Sequence, residues 1–285
     1  MRNRVLPVVL FIGATLGGCT GGVLDPQGPV AAAERQILFN SLGIMLAIVI
    51  PTIVATLGVA YWFRSSNKRA RYLPDFNYSD RLEALVWSIP AMTVLLVGGV
   101  AWVGAHDLDP RKAISSTSKP LTVQVVSLDW KWLFIYPEQG IASVNYLAVP
   151  VGTPISFELT SSGVMNSFFV PQLAGQIYTM SGMTTRLKLQ ADHPGKYPGL
   201  SAQFSGEGFA DMRFTVEAVP AGQFEQWVAT ARNSGPVLDA RAYADMVKPS
   251  KAVAPLTYRA VASGLFNTML TSGSPDDPMC IAPVH

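Results

Sequence analysis

Two long stretches without a charged side chain constrain this chain more than any other feature. Residues 36–63 read "QILFNSLGIMLAIVIPTIVATLGVAYWF" and residues 84–105 read "ALVWSIPAMTVLLVGGVAWVGA". Roughly 20 apolar residues suffice for a helix to cross a hydrocarbon core of about 30 Å, so each run is long enough to span a membrane. Pro51 is compatible with such a helix because neighbouring groups recover the freed carbonyl. Tyr61, Trp62, Trp87 and Trp102 fall near the ends, where amphipathic rings favour the interface. Between the runs, "RSSNKRARYLPDFNYSDRLE" supplies Arg64, Lys68, Arg69, Arg71 and Arg81. Positive loops stay cytoplasmic, so the two helices are predicted to form an antiparallel hairpin with both chain ends on the opposite side. With 14% charged residues and a net charge of +2, the composition agrees with a membrane protein and gives no footing for nucleic acid as a partner.

The first residues carry Arg2 and Arg4, then the apolar run "VLPVVLFIGATL", then "LGGC" ending at Cys19. A charged start, a short apolar segment and small residues before a cysteine describe a lipoprotein signal over residues 1–18. The thiol of Cys19 is then the acceptor of a diacylglyceryl group, and residues 19–106 comprise the lipidated amino-terminus and the hairpin. Two spans already hold the protein irreversibly, so acyl chains at about 0.8 kcal/mol per buried CH2 add little retention. Lipidation instead seats the amino-terminus against a partner. The expected location is a bacterial inner membrane, with everything beyond the second helix in the periplasm. Cys280 is the one other thiol; with Cys19 acylated no intramolecular disulfide forms, and the sequence gives Cys280 no role.

After residue 106 the pattern changes to short β-branched and aromatic runs, "LTVQVVSLDWKWLFIY", "SVNYLAV", "PISFELTS", "VMNSFFVP", "TTRLKLQAD" and "MRFTVEAV", separated by Gly, Pro, Asn or Asp. Such spacing predicts an all-β sandwich or small barrel over residues 107–220. Two-residue alternation places Trp130, Trp132, Phe134 and Tyr136 on one face. In "AGQFEQWVATARN", Phe224, Trp227 and Val228 recur at helical spacing, so residues 221–285 are predicted to be a helical extension and tail packed on the barrel.

The motifs "DWKWLFIYPEQGIASVNYLAVP", "VMNSFFVPQLAGQIYTMSGMTTRL" and "GLSAQFSGEGFADMRFTV", following a lipidated hairpin, resemble subunit II of the bacterial bo-type ubiquinol oxidases, in the haem-copper oxidase superfamily. The resemblance runs from the lipobox to about residue 230, and the final 50 residues match only loosely. It implies a cupredoxin-like periplasmic domain and membership of a proton-pumping complex that oxidises ubiquinol with O2. It places haem b, haem o or a, copper and the main quinol site in a partner, subunit I, with other oxidase subunits beside it. In the cytochrome c-using relatives the same domain holds a binuclear copper centre, CuA, with ligands in a C-x3-C-x3-H-x2-M loop and a further histidine. Laid on that pattern, this chain has Phe204 and Gly208 at the bridging cysteines, Met212 at one histidine, Thr215 at the methionine and Asn166 at the other histidine.

A two-copper centre needs thiolate bridges and imidazoles, and none of these positions offers either. His106, His193 and His285 lie outside the expected strand and loop, and Met180, Met183 and Met212 read as core filling. The resemblance therefore implies no metal or cofactor on this chain and a structural rather than redox role. The alternative is an electron carrier with an unusual copper site. Glu83, in "DRLEALVW", matches a glutamate at the cytoplasmic mouth of a proton-uptake route in the family; Asp80 and Glu83 are also spaced as a capping box, and the two readings are compatible. Trp130 and Trp132 match the patch through which electrons reach CuA in the relatives. Without copper beneath it, packing is the expected use. Asp129 and Lys131 flank that patch and are available to pair with a partner's charges.

Overall fold

The structure, a computed structural model, describes residues 22–271 except Tyr72 and Thr117. The signal segment, Cys19, Cys280 and His285 lie outside the described residues. Two compact units emerge, one of residues 33–109 and one of the sequence on either side of it.

The first unit is the hairpin. Helix α1 (Pro29–Trp62) begins in the other unit and continues here, and α2 is Asp80–Asp107. At 1.5 Å per residue they are about 50 and 40 Å long, enough to cross a bilayer. Both are apolar and unburied along their most hydrophobic windows, as a helix solvated by lipid is. Three threonine hydroxyls are satisfied locally: Thr52, Thr56 and Thr93 each donate to the carbonyl four residues earlier at 2.7–2.8 Å. The helices touch where Gly104 of α2 leaves room for Ile37 of α1. A small residue at such a crossing lets two backbones approach closely.

In the second unit two sheets face each other. The strands are β1 (Leu121–Leu128), β2 (Lys131–Tyr136), β3 (Ile141–Val144), β4 (Tyr146–Pro150), β5 (Ile155–Ser161), β6 (Asn166–Phe169), β7 (Ile177–Thr179), β8 (Thr185–Leu189), β9 (Gly195–Ser201) and β10 (Arg213–Val219). The extension adds α3 (Ala221–Asn233), β11 (Val237–Leu238), α4 (Ala240–Val247), β12 (Leu256–Tyr258), β13 (Ala260–Val261) and α5 (Leu265–Thr271). One sheet runs β12-β3-β2-β1-β5-β8 and the other β4-β10-β9-β6-β7. Pairs β1/β5 and β4/β10 are parallel and the remaining neighbours in these two sheets antiparallel, so the chain crosses between layers as in a cupredoxin-like sandwich.

Alternation along β2 turns Trp132, Phe134 and Tyr136 inward, where they meet Phe157, Phe168 and Phe214. Phe168 and Phe214 stack at 5.0 Å between ring centroids, and Trp132 meets Phe168 edge-on at 5.4 Å. The Tyr136 hydroxyl donates to the Ala148 carbonyl at 2.9 Å and accepts from its amide at 3.0 Å. Complete burial pushes that phenol well above its ordinary range.

Trp130 departs from the expected alternation. The β1–β2 register pairs Leu128 with Lys131, leaving Asp129 and Trp130 as a two-residue turn, and Trp130 takes φ +63°. Its ring therefore leaves the inward row of β2.

The extension also differs from the all-helical expectation. It does pack helices on the sandwich: Phe224, Val228 and Ala231 of α3 join the inner core. It further supplies β12, which pairs with β3 and completes the edge of the first sheet, and a small β11/β13 pair. Leu238, Met246, Tyr258, Leu265, Phe266 and Met269 cover a second apolar cluster built on Val126, Leu128, Leu133, Ile135, Ala142 and Val144. These are the outward residues of the first sheet, so that sheet is apolar on both faces.

Residues 22–32 belong to this unit as well. The Gln27 amide donates to the Gln172 carbonyl at 2.7 Å, and the Asp192 amide donates to the Gln27 carbonyl at 2.9 Å. Gly28 is pressed against the backbone carbonyl of Gln190 so closely that any Cβ would collide with it. The start of α1 is thereby bound to the same unit that follows α2.

Candidate functional site

The loop of residues 202–212, between β9 and β10, carries three of the five positions that match copper ligands in the relatives. Gly206 turns it with φ +106°, and Phe209–Asp211 close it as a single 3-10 turn. The half-buried indole of Trp130 lies across it: Nε1 donates to the Ser205 carbonyl at 2.9 Å. A methyl group added at buried Gly208 would fall inside the Trp130 ring. The space that a bridging cysteine's side chain would enter is thus occupied by an aromatic ring.

The remaining positions are occupied in ways that leave no donor set. Met212 is 1% exposed, and its sulfur sits 3.9 Å from the Ser205 hydroxyl. Asn166 is buried at the start of β6; its Oδ1 accepts from Ser201 Oγ at 3.1 Å and its Nδ2 donates to the Val164 carbonyl at 3.0 Å. Both ends of that amide are consumed in holding β6, β9 and the preceding loop together. Phe204 points outward, 71% exposed, with its ring 5.6 Å from that of Phe209. Thr215 lies within β10, its amide bonded to the Asn145 carbonyl at 3.1 Å. Two bridging thiolates and flanking imidazoles are what a copper pair requires, so the residues present do not fit one. Among the described residues no three His, Cys, Asp or Glu side chains are close enough to share a metal ion.

The extension reaches over this loop. Lys251 pairs with Glu207 at 2.7 Å and stands 5.6 Å from the Trp130 ring centroid. The hydrogen bond from Lys251, and then its charge, hold the Glu207 carboxyl below the usual range. Lys131, expected to face a partner, is instead 3% exposed. Its ammonium donates to the Lys248 carbonyl at 2.9 Å and to Ser250 Oγ. Desolvation pushes this amine below its ordinary value, against the opposing pull of Asp129. Asn145, at φ +54°, completes the attachment by accepting from the Trp132 amide and donating to the Val253 carbonyl, both at 2.8 Å. Sequence reasoning missed this stitching because a lysine beside tryptophans in a strand pattern reads as a surface charge. Trp130 and Trp132 form no common patch, since Trp132 is sealed in the core.

Glu83 is exposed in the first turn of α2. The capping box is not formed: Ser79 is the N-cap and makes no side-chain bond, and Glu83 stands at the fourth helical position, one beyond the residue that could reach back. The Tyr78 phenol bonds to Asp80 and Glu83, which pushes the phenol up. His106 lies against Trp102 within α2, with ring centroids 4.6 Å apart and the rings tilted by 36°. His193 is exposed and its carbonyl accepts from Tyr197. Met180 is half-buried and Met183 exposed, so the latter fills no core.

A cupredoxin-like sandwich joined to two membrane-length helices, with its metal loop plugged, defines a class before any relative is considered. Residues 137–219 match the family of the cytochrome c oxidase subunit II periplasmic domain. The cytochrome bo(3) ubiquinol oxidase subunit 2 of Pseudomonas aeruginosa is 46% identical over 256 residues, covering 90% of this chain and 77% of that protein. The ubiquinol oxidase subunit 2 of Acetobacter aceti is 45% identical over 278 residues, 95% of this chain and 90% of that one. The chain belongs to the ubiquinol oxidase subunit 2 family. An alignment over 95% of the chain also takes in most of the extension. Among solved structures, the periplasmic domain of subunit II of cytochrome oxidase from Bradyrhizobium japonicum aligns at 24% identity with TM-score 0.39, over 41% of this chain and 98% of that one. With family, fold and two lipid-ready helices together, the chain is a membrane protein with a periplasmic domain.

Proposed function

We propose that this chain is the non-redox subunit II of a proton-translocating ubiquinol oxidase in a bacterial inner membrane. The complex would oxidise ubiquinol and reduce O2 to water, with haem b, haem o or a, and copper all held by subunit I. The observation that carries this reading is the Trp130 ring over Gly208, together with the absence of thiol and imidazole from all five ligand-matching positions. A soluble one-electron donor needs a periplasmic relay into the membrane. A lipid-soluble quinol reaches a membrane haem without one, so the domain is free to lose its metal and keep its shape. On the same reading residues 1–18 are removed as a signal, Cys19 is lipidated, and Glu83 collects protons at the cytoplasmic entrance to subunit I. The chain's own contribution is assembly, shape and that proton entrance, with no redox chemistry of its own.

The test is purification from native membranes in mild detergent, with haem spectra, metal analysis and a quinol oxidation assay. Haem and quinol oxidase activity should travel with this chain, and copper loading should give no mixed-valence absorption from its periplasmic domain. Stoichiometric copper bound by this polypeptide, or cytochrome c oxidation by membranes containing this oxidase alone, would return the electron-carrier reading to first place.

A further inference from the structure

The loop joining α1 to α2 carries Arg64, Lys68, Arg69, Arg71 and Arg81, and among the described residues none of the five lies within ion-pair distance of a carboxylate. Asp75, Asp80 and Glu83 occur in the same stretch, and Asp80 and Glu83 are engaged by the Tyr78 phenol rather than by any of the five cations. The chain here is nonetheless folded. Arg64 Nη1 donates to the Tyr61 carbonyl at 3.1 Å and its Nε to Ser66 Oγ at 2.9 Å, with the guanidinium 4.0 Å above the Tyr61 ring. Asn67 Nδ2 donates to the Trp62 carbonyl at 2.6 Å, and its Oδ1 accepts from the Arg69 amide at 3.1 Å. These bonds satisfy the last carbonyls of α1 and bend the chain back over the helix end.

The fold-back encloses a recess of about 590 Å³. Phe63, Ala70, Leu73 and Phe76 provide apolar walls, and Arg64 and Arg71 are the two cationic residues among its lining. Its depth in the bilayer follows from the sequence Tyr61-Trp62-Phe63 at the end of α1, since such rings settle at the headgroup level. Its side follows from connectivity: residues 22–32 are hydrogen-bonded into the periplasmic unit, so α1 leaves from the periplasm and the loop lies across the membrane, in the cytoplasmic leaflet.

We propose that this recess holds the headgroup of an anionic phospholipid of the cytoplasmic leaflet. A guanidinium fork matches two phosphate oxygens, and the aromatic and aliphatic walls accept the glycerol and first acyl carbons. A soluble phosphate would make no use of those walls, which is why a lipid and not a free anion is the occupant. The inference rests on membrane orientation alone and does not require the oxidase reading.

The test uses the full chain, with the subunits that accompany it, in nanodiscs of phosphatidylcholine containing a minor fraction of phosphatidylglycerol. Lipid retained after detergent exchange is measured by mass spectrometry. Wild type should enrich phosphatidylglycerol over its bulk fraction, and R64Q/R71Q should retain roughly tenfold less. K68Q/R69Q removes the same charge from positions outside the recess and should retain nearly the wild-type amount. Because Arg64 also holds the end of α1, R71Q alone serves as the milder variant and should show a partial loss in the same direction. Equal losses from the two double variants would reduce the effect to surface charge and overturn the site. Wild-type retention by R64Q/R71Q would do the same, and displacement of the lipid by millimolar inorganic phosphate would make the ligand a soluble anion.

Discussion

Two loops of this molecule solve opposite problems. In the loop between β9 and β10 Lys251 is paired with Glu207, and the room above Gly208 is filled by Trp130. In the loop between α1 and α2 none of five cations has a carboxylate partner among the described residues, and two of them, Arg64 and Arg71, line a recess. The first is complete within its own chain. The second has the composition of a surface whose counter-charge comes from elsewhere. The loop whose positions match copper ligands in relatives is packed shut, whereas the loop between the helices keeps its charges facing outward for the proposed lipid.

The sharpest way to break that contrast is to overfill the closed loop. Gly208→Ala should destabilise the periplasmic unit by about 1–3 kcal/mol, read as a lower urea midpoint, because the new methyl has no space beside the indole. Trp130→Gly removes both the obstacle and the left-handed strain of a bulky residue, so G208A/W130G should cost less than the sum of the two single changes. Strict additivity would mean that Trp130 does not plug the loop.

Lys131 gives a second, smaller handle. Its folded pKa is lowered by burial, so between that value and about 10.4 the unfolded chain binds more protons than the folded one. Stability should therefore rise with pH across that window, at less than about 1.4 kcal/mol per pH unit for a single site. In Lys131→Met that component should vanish from urea titrations at successive pH values. A slope that survives the substitution would place Lys131 in solvent.

The smallest effect is expected at the rim. Glu207 and the Lys251 ammonium are exposed, and exposed ion pairs contribute little and are screened by salt. Lys251→Gln should change the melting temperature only slightly at low ionic strength and not at all in molar salt. A large, salt-independent loss would show that Lys251 matters through its contact with Trp130 instead.

Much of this was legible from residue order. The charge-free runs gave both helices, and the alternation of Trp132, Phe134 and Tyr136 gave the inward face of β2. Trp130 escaped the same rule because a two-residue turn ends the alternation there, and nothing local in "SLDWKWLF" distinguishes turn from strand. That the five ligand-matching positions offer no thiol or imidazole could be read directly from residue types. What fills them could not, because Trp130 lies more than 70 residues before the loop it covers. Strands β11, β12 and β13 are two or three residues long and exist only through distant partners, so no period announces them. Lys131 was misread for a related reason: its acceptors, Lys248 and Ser250, are supplied by the extension more than 100 residues later.

Strand β12 has one further consequence. By pairing with β3 it takes up hydrogen-bonding groups that would otherwise form a bare sheet margin, and its neighbours cover the apolar outer surface beside it. A chain shortened before Leu256 would present a sticky ribbon rather than a finished body. The carboxy-terminal segment thus keeps the finished domain from offering that margin to other chains.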